Sequence, residues 1–318
     1  MNNAVYVDHI GYALGEITRT VDEAAARGEL LSSPAVLKEA GFYFHHVCGE
    51  GSTAYDLARR AVQDIQDRLG NIGAIIYSTC IPANANIGRQ ESFLESRDVK
   101  KLMDFPASHL QNDFALDRAI VIGLSQQACT GLLGSLRLAQ ALLLSEPEIE
   151  RVLCLTSDRF PDGALYEQSY NLISDGAAAC IVSLAPSSFR LLAVHGITNG
   201  ALAHANDEET AGTFFAFSHR VIQETLSKAR LRITDIAWFV AQNMNRKAVE
   251  ILARLLKFDP ARILSPTMPD VAHVISGDNL INLKYLSERG GILPGERLLL
   301  FMAGYGLNWQ CVILERSH

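Results

Sequence analysis

Leu124-Ser-Gln-Gln-Ala-Cys-Thr-Gly-Leu-Leu-Gly134 sets one cysteine among small residues, and its flanks decide how the chain is built. Upstream, residues 118–124 form an apolar run that reads as a buried strand. Downstream, apolar residues at 132, 133, 136, 138, 139, 142 and 143 keep the period of a mostly buried helix. Cys129 therefore stands at a strand-to-helix turn. Unpaired N–H groups and the positive end of a helix dipole favour thiolate over thiol there, which makes a cysteine nucleophilic near neutral pH. Free cysteine is also among the most often buried residue types, so plain packing competes as a reading of the same position.

Outward from this turn the pattern alternates helix and strand. Residues 5–13 read as a strand, and the chain from there to about Gly51 has no clear period. A helix over 52–70, capped by Ser52 or Thr53 and stopped by Gly70, leads into an apolar strand at 72–79 and the turn-rich segment that begins at Cys80. After the cysteine helix come strands at 151–157 and 177–183. The second part of the chain replays this order: a helix at 220–229 before a strand at 233–242, then a helix at 280–289 before strands at 296–302 and 308–314. Helices followed by buried strands predict an α/β sheet. The replay predicts two similar halves, 1–185 and 186–318, divided near Pro186, although pattern alone also allows a single doubly wound sheet.

Composition narrows the function. The chain has 318 residues, of which 48% are hydrophobic, enough for a large core. A net charge of −7 with no basic block excludes a nucleic-acid footprint. The first ten residues carry neither a basic region nor a long apolar one, and no apolar run reaches the length of a membrane span, which predicts a cytoplasmic protein with no membrane partner. Cysteines 48, 80, 129, 154, 180 and 311 lack paired short spacing, so reduced thiols are expected, with no zinc or other metal site and no cofactor.

Three stretches in order carry a resemblance: Ala128-Cys-Thr-Gly-Leu132, Ile173-Ser-Asp-Gly-Ala-Ala-Ala-Cys-Ile-Val182 and Phe301-Met-Ala-Gly-Tyr-Gly-Leu-Asn-Trp309. Their sequence and spacing resemble the ketoacyl-acyl carrier protein synthase III family of the thiolase superfamily, over nearly the whole chain. The resemblance implies the five-layered αβαβα thiolase fold, a homodimer joined through the strand before Cys129, and Cys129 as the thiol that takes an acyl group as a thioester. It also implies an oxyanion hole made by the Cys129 N–H and an N–H of the Gly304-Tyr305-Gly306 loop. Those glycines serve equally well to allow a tight turn between strands.

The chain departs from the family at the base. Relatives have His-Gln-Ala-Asn after the strand that ends near Val240, whereas this sequence reads Gln242-Asn243-Met244-Asn245. An amide cannot take a proton at neutral pH, so the family's help to decarboxylation is weakened or lost. The family's second polar position falls in the loop 271–279, which contains His273 and Asp278. His273 is a candidate base for Cys129, and Asp278 a candidate to orient its ring, as in a Cys-His-Asp arrangement. Packing for His273, and capping of the helix near Leu280 by Asp278, are the plain alternatives. Gln242 and Asn243 remain as supporting hydrogen-bonding groups. His45, His46 and His109 lack metal-ligand spacing and are read as surface or core residues.

The basic residue of the relatives' coenzyme A site is missing from 39–46, so the donor is either an acyl carrier protein or an acyl-coenzyme A, and the acceptor a small molecule. The expected activity is acyl transfer in specialised metabolism. Decarboxylative carbon–carbon condensation, and a silent dimer partner that binds a carrier protein, are the rivals.

Overall fold

The computed structural model describes residues 4–88, 90–169, 171–205, 207–305 and 307–317, with the backbone alone for 207–211. In chain order the elements that matter here are β1 (Val5–Leu14), α1 (Ala54–Gln63), β2 (Ala74–Ser78), α2 (Pro106–Asp113), β3 (Ile120–Leu124) and α3 (Gly131–Ser145). They continue with β4 (Arg151–Asp158), β5 (Gly176–Ser183), β6 (Phe189–Thr198), α4 (Asp207–Ala229), β7 (Trp238–Val240) and α5 (Arg246–Leu256). The last are β8 (Ile263–Leu264), α6 (Asp278–Glu288), β9 (Arg297–Gly304) and β10 (Asn308–Arg316).

The strands form one ten-stranded mixed sheet in the order β8-β7-β9-β10-β6-β1-β5-β4-β2-β3. Taken outward from the centre, β1-β5-β4-β2-β3 and β6-β10-β9-β7-β8 repeat one scheme: two antiparallel pairings, then two parallel ones. The two sets meet where β1 and β6 pair antiparallel, Val5 opposite Leu191 and Val7 opposite Phe189. The repeat read from helix and strand order is thus a repeat of strand order and direction.

Helix α3 lies against strands of both sets, β2, β4 and β5 on one side and β6 and β10 on the other, and α6 likewise touches β1, β5, β7 and β9. These two helices make the middle layer. Outside it α1 packs on β1, β4 and β5, and α4 packs on β6 and β10, which gives the expected αβαβα layering. Each layer boundary has its own core: Leu132, Leu136, Leu280 and Leu300 in the centre, Leu57, Ile75 and Leu153 under α1, Val221, Phe239 and Phe301 under α4. A helix with both flanks covered must be apolar nearly all round, which is why 128–145 has the length and hydropathy of a membrane span yet is 67% buried inside the protein. Burying each of Leu132, Leu133 and Leu136 contributes about 1.5–3 kcal/mol.

Several expectations shift. The strand before Cys129 was expected to be buried, but β3 is the outermost strand of the sheet, pairs with β2 and leaves Ile120 48% exposed. An apolar run looks the same in a central strand and in an edge strand awaiting a cover. The strand expected at 233–242 shrinks to β7, because 233–235 form a 3₁₀ turn that caps itself through Arg232 and Asp235. The unpatterned early region holds a two-stranded hairpin, Ile17–Thr20 against Phe44–Val47, with two short helices between. Elements β6 and α5 had no counterpart in the sequence reading.

Candidate active site

Strand β3 ends at Leu124, and the chain makes one 3₁₀ turn, Ala128–Thr130, before α3 begins at Gly131. Ala128, immediately before the cysteine, has φ of 44°, in the left-handed region that costs an L-residue roughly 1–3 kcal/mol. Ala272 (φ 57°) and Ile275 (φ 47°) flank the facing loop in the same region. Cys129 is 9% exposed in the central core, with its backbone at the start of α3. Ser276 ties the two loops together by donating its hydroxyl to the Ala128 carbonyl at 3.0 Å.

The facing loop carries the histidine. His273 is fixed by its backbone, N–H to the Leu172 carbonyl and carbonyl from the Ser174 N–H, both at 2.9 Å. Its Nδ1 lies 2.5 Å from Oδ2 of Asp278, and its ring lies near enough to the Cys129 thiol for the two to shift each other's pKa. With Nδ1 committed to the carboxylate, Nε2 is the nitrogen left for sulfur. Asp278 is fully buried and accepts two backbone N–H groups besides, Asn243 at 2.7 Å and Val274 at 2.6 Å. It is the first residue of α6, yet its side chain caps no N–H of that helix; it faces the histidine.

Burial alone would lower the pKa of His273, but Asp278, and after it Cys129, hold it well above the ordinary imidazole value. The Cys129 thiol is pulled well below its usual range, most by a hydrogen bond from the Cys80 thiol, then by His273, against the opposing effect of burial. Of the two neighbouring thiols Cys129 is the one that ionises, because only it also faces the imidazolium; Cys80 is pushed far up. These shifts favour a thiolate–imidazolium pair braced by a carboxylate.

Other sequence candidates fall around this centre. Gln242 is buried, and its side-chain carbonyl accepts the Ala303 N–H at 2.7 Å, so it braces the strand that leads to Gly304. Asn243 supports Asp278 from behind: its side chain bonds Thr267 and the Ala272 carbonyl and accepts from Asn282. Gly304 packs against the nucleophile, since a Cβ there would stand 2.8 Å from the Cys129 nitrogen. Tyr305 is 56% exposed, with its hydroxyl on Ser169 at the rim. Gly306 lies outside the described residues. Among the described residues no group of three His, Cys, Asp or Glu side chains is placed to hold a metal.

Two further features had no signal in the sequence. Cys80 follows β2, and only the adjacency of β2 and β3 brings it to Cys129, so no local signal marks it. Arg246, at the start of α5, sits beside Gly41, whose φ of 108° and lack of a Cβ leave room for the guanidinium. Its neighbour Lys247 pairs with Glu39 at 2.7 Å. Positive charge absent from 39–46 thus arrives there from another element.

Comparison with known proteins places this geometry. The family model for 3-oxoacyl-[acyl-carrier-protein] synthase III matches residues 125–200, and that for the C-terminal part of the same synthase matches 226–316, together more than half the chain. The chain belongs to the 3-oxoacyl-[acyl-carrier-protein] synthase III family. It is an enzyme family of the transferase class. A β-ketoacyl-[acyl-carrier-protein] synthase III of Wolbachia pipientis subsp. Culex pipiens is 23% identical over 306 residues, covering 88% of this chain and 89% of the relative. That of Rhizorhabdus wittichii is 24% identical over 326 residues, covering 94% and 93%. Among solved structures, ChlB3, described as an acyltransferase, superposes with a TM-score of 0.83 at 20% identity over 99% of this chain and 98% of its own. The synthase III of Pseudomonas aeruginosa PAO1 gives 0.81 at 20% identity over 99% of both. The family members share the fold found here, with the cysteine turn and the glycine loop both inside matched segments.

Proposed function

We propose that this family member is an acyltransferase of specialised metabolism. It takes an acyl group from a carrier-protein or coenzyme A thioester onto Cys129 and passes it to a small-molecule acceptor with an amine, hydroxyl or carbon nucleophile. The observation that carries this reading is the His273 ring hydrogen-bonded to Asp278 and electrostatically coupled to Cys129, in a site where Gln242 cannot exchange a proton.

The chemistry follows from those groups. The Cys129 sulfur attacks the thioester carbonyl, and the oxyanion forms against the Cys129 N–H beside Gly304. As the intermediate collapses, His273 gives its proton to the departing thiol, which leaves the ring neutral and Cys129 acylated. The neutral ring then takes the proton of the incoming acceptor as it attacks the acyl carbonyl, and Cys129 leaves as thiolate beside the restored imidazolium. Asp278 stabilises that cation in both halves. Arg246 supplies positive charge near Gly41 for a phosphate-bearing donor arm.

Intact mass after mixing with acyl-coenzyme A and acyl-carrier thioesters tests the reading. A single adduct on Cys129 that moves to an amine or alcohol acceptor is expected. An adduct on another cysteine, or none with any donor, overturns it, and the second outcome favours a silent carrier-binding partner.

Decarboxylative condensation is the second reading, favoured by the names of the curated relatives. Release of carbon dioxide from a malonyl thioester distinguishes the two. We also read the chain as a cytoplasmic homodimer joined through the exposed edge of β3, with halves 1–185 and 186–318 as a duplicated pair.

A further inference from the structure

Cys80 is a second thiol beside the nucleophile, and no bond to its sulfur forms or breaks in acyl transfer. Strands β2 and β3 are parallel neighbours, Ser78 opposite Leu124, and the Thr79 N–H reaches the Leu124 carbonyl at 3.0 Å. Beyond them the two chains run on together: a Cβ on Gly131 would lie 3.0 Å from the Ser78 Cβ. Cys80, two residues past Ser78, and Cys129, two before Gly131, therefore lie on adjoining turns, and Cys80 packs against the central core that holds Cys129. The Cys80 turn is held from below by Asp158, which accepts the Cys80 N–H at 2.9 Å, the Ile81 N–H at 3.0 Å and the Thr79 hydroxyl at 2.5 Å. Cys80 is partly exposed, so the pair lies near the surface on its side.

We propose that Cys80 and Cys129 form an oxidative modification site, in which a hydroperoxide oxidises Cys129 and Cys80 then closes a reversible disulfide with it. The proposal rests on the reading of Cys129 as the reactive thiolate. The Cys129 sulfur attacks the hydroperoxide; an S–O bond forms as the O–O bond breaks, and the departing alkoxide or hydroxide takes the His273 proton. The Cys80 sulfur then attacks the sulfenic sulfur. The S–S bond forms as the S–O bond breaks, and hydroxide leaves with the Cys80 proton as water. The two sulfurs lose two electrons to the peroxide oxygens, and a dithiol returns them. The adjoining turns make this step intramolecular, so the sulfenic acid is captured before it oxidises further. Acyl loading is switched off while the bond stands, and Cys129 is spared irreversible loss.

The test uses the reduced, full-length protein with hydrogen peroxide and no acyl donor. Wild type is expected to lose two hydrogens in mass and two alkylatable thiols per chain, to yield a peptide linking Cys80 to Cys129, and to recover both thiols with dithiothreitol. Cys80→Ala, or Cys80→Ser should the alanine form fail to fold, is expected to gain two or three oxygens at Cys129 instead, as sulfinic or sulfonic acid that dithiothreitol does not reverse. The proposal is overturned if wild type gains oxygen at Cys129 just as the variant does, or if the linked pair is another, such as the cross-strand neighbours Cys154 and Cys180. Acyl loading of the reduced protein is scored separately. A disulfide without an acyl adduct removes the transferase reading alone, and an adduct without a disulfide removes this proposal alone.

Discussion

Asp278 holds His273 from the first turn of α6: one carboxylate oxygen lies 2.5 Å from the ring Nδ1 and the other accepts the Val274 N–H at 2.6 Å. The loop, the ring and the helix start are locked as one unit. His273→Ala should therefore lower Cys129 acylation about 10²-fold or more, because general acid–base help is worth about that. Single-turnover acylation measures it, and a full-rate variant removes the base.

Asp278→Asn should give a smaller loss in rate but a clear loss in melting temperature. A side-chain amide at this position cannot accept all of the Asn243, Val274 and His273 N–H groups, and its own N–H₂ must face one of them. Calorimetry showing an unaltered transition would place the carboxylate outside this network.

The thiolate should persist into acid. A thiol whose pKa is depressed stays ionised at every pH above the depressed value, so alkylation of Cys129 by iodoacetamide should stay nearly constant from neutrality downward and fall only as pH drops through about 5. An ordinary cysteine loses reactivity below about 8.5. Cys80→Ala should move the fall toward higher pH, since the Cys80 hydrogen bond is the largest lowering influence. A profile identical to a free thiol's contradicts the ion pair.

Gly304→Ala should abolish acylation while the chain still folds. The added methyl would stand 2.8 Å from the Cys129 nitrogen and close the space in which the oxyanion forms. Mass spectrometry with the best donor, alongside circular dichroism, checks both halves of the statement.

Malonyl decarboxylation should be slower than in ordinary family members by about 10²–10⁴, since Gln242 holds no transferable proton and its carbonyl is already engaged with the Ala303 N–H. Carbon dioxide release at a rate typical of those enzymes would restore condensation as the leading reading.

The sequence by itself determined the repeated helix–strand order, the apolar helix after Cys129 and the position of that cysteine at a helix start, because each is written in local periodicity and turn chemistry. It also put His273 and Asp278 in one loop, since five residues apart is a local relation. It did not reveal that β6 carries the junction of the two strand sets through β1, or that the Cys80 turn adjoins that of Cys129. Those are relations between segments far apart in the chain, fixed by which strands pair and in what register. The same holds for Arg246 at Gly41 and for the Asn243 N–H on Asp278. Periodicity can say that a strand is apolar, but only the assembled sheet decides what lies beside it. The chemistry of this site depends on those neighbours: a histidine and a second thiol, brought from two other loops, favour the thiolate form of Cys129.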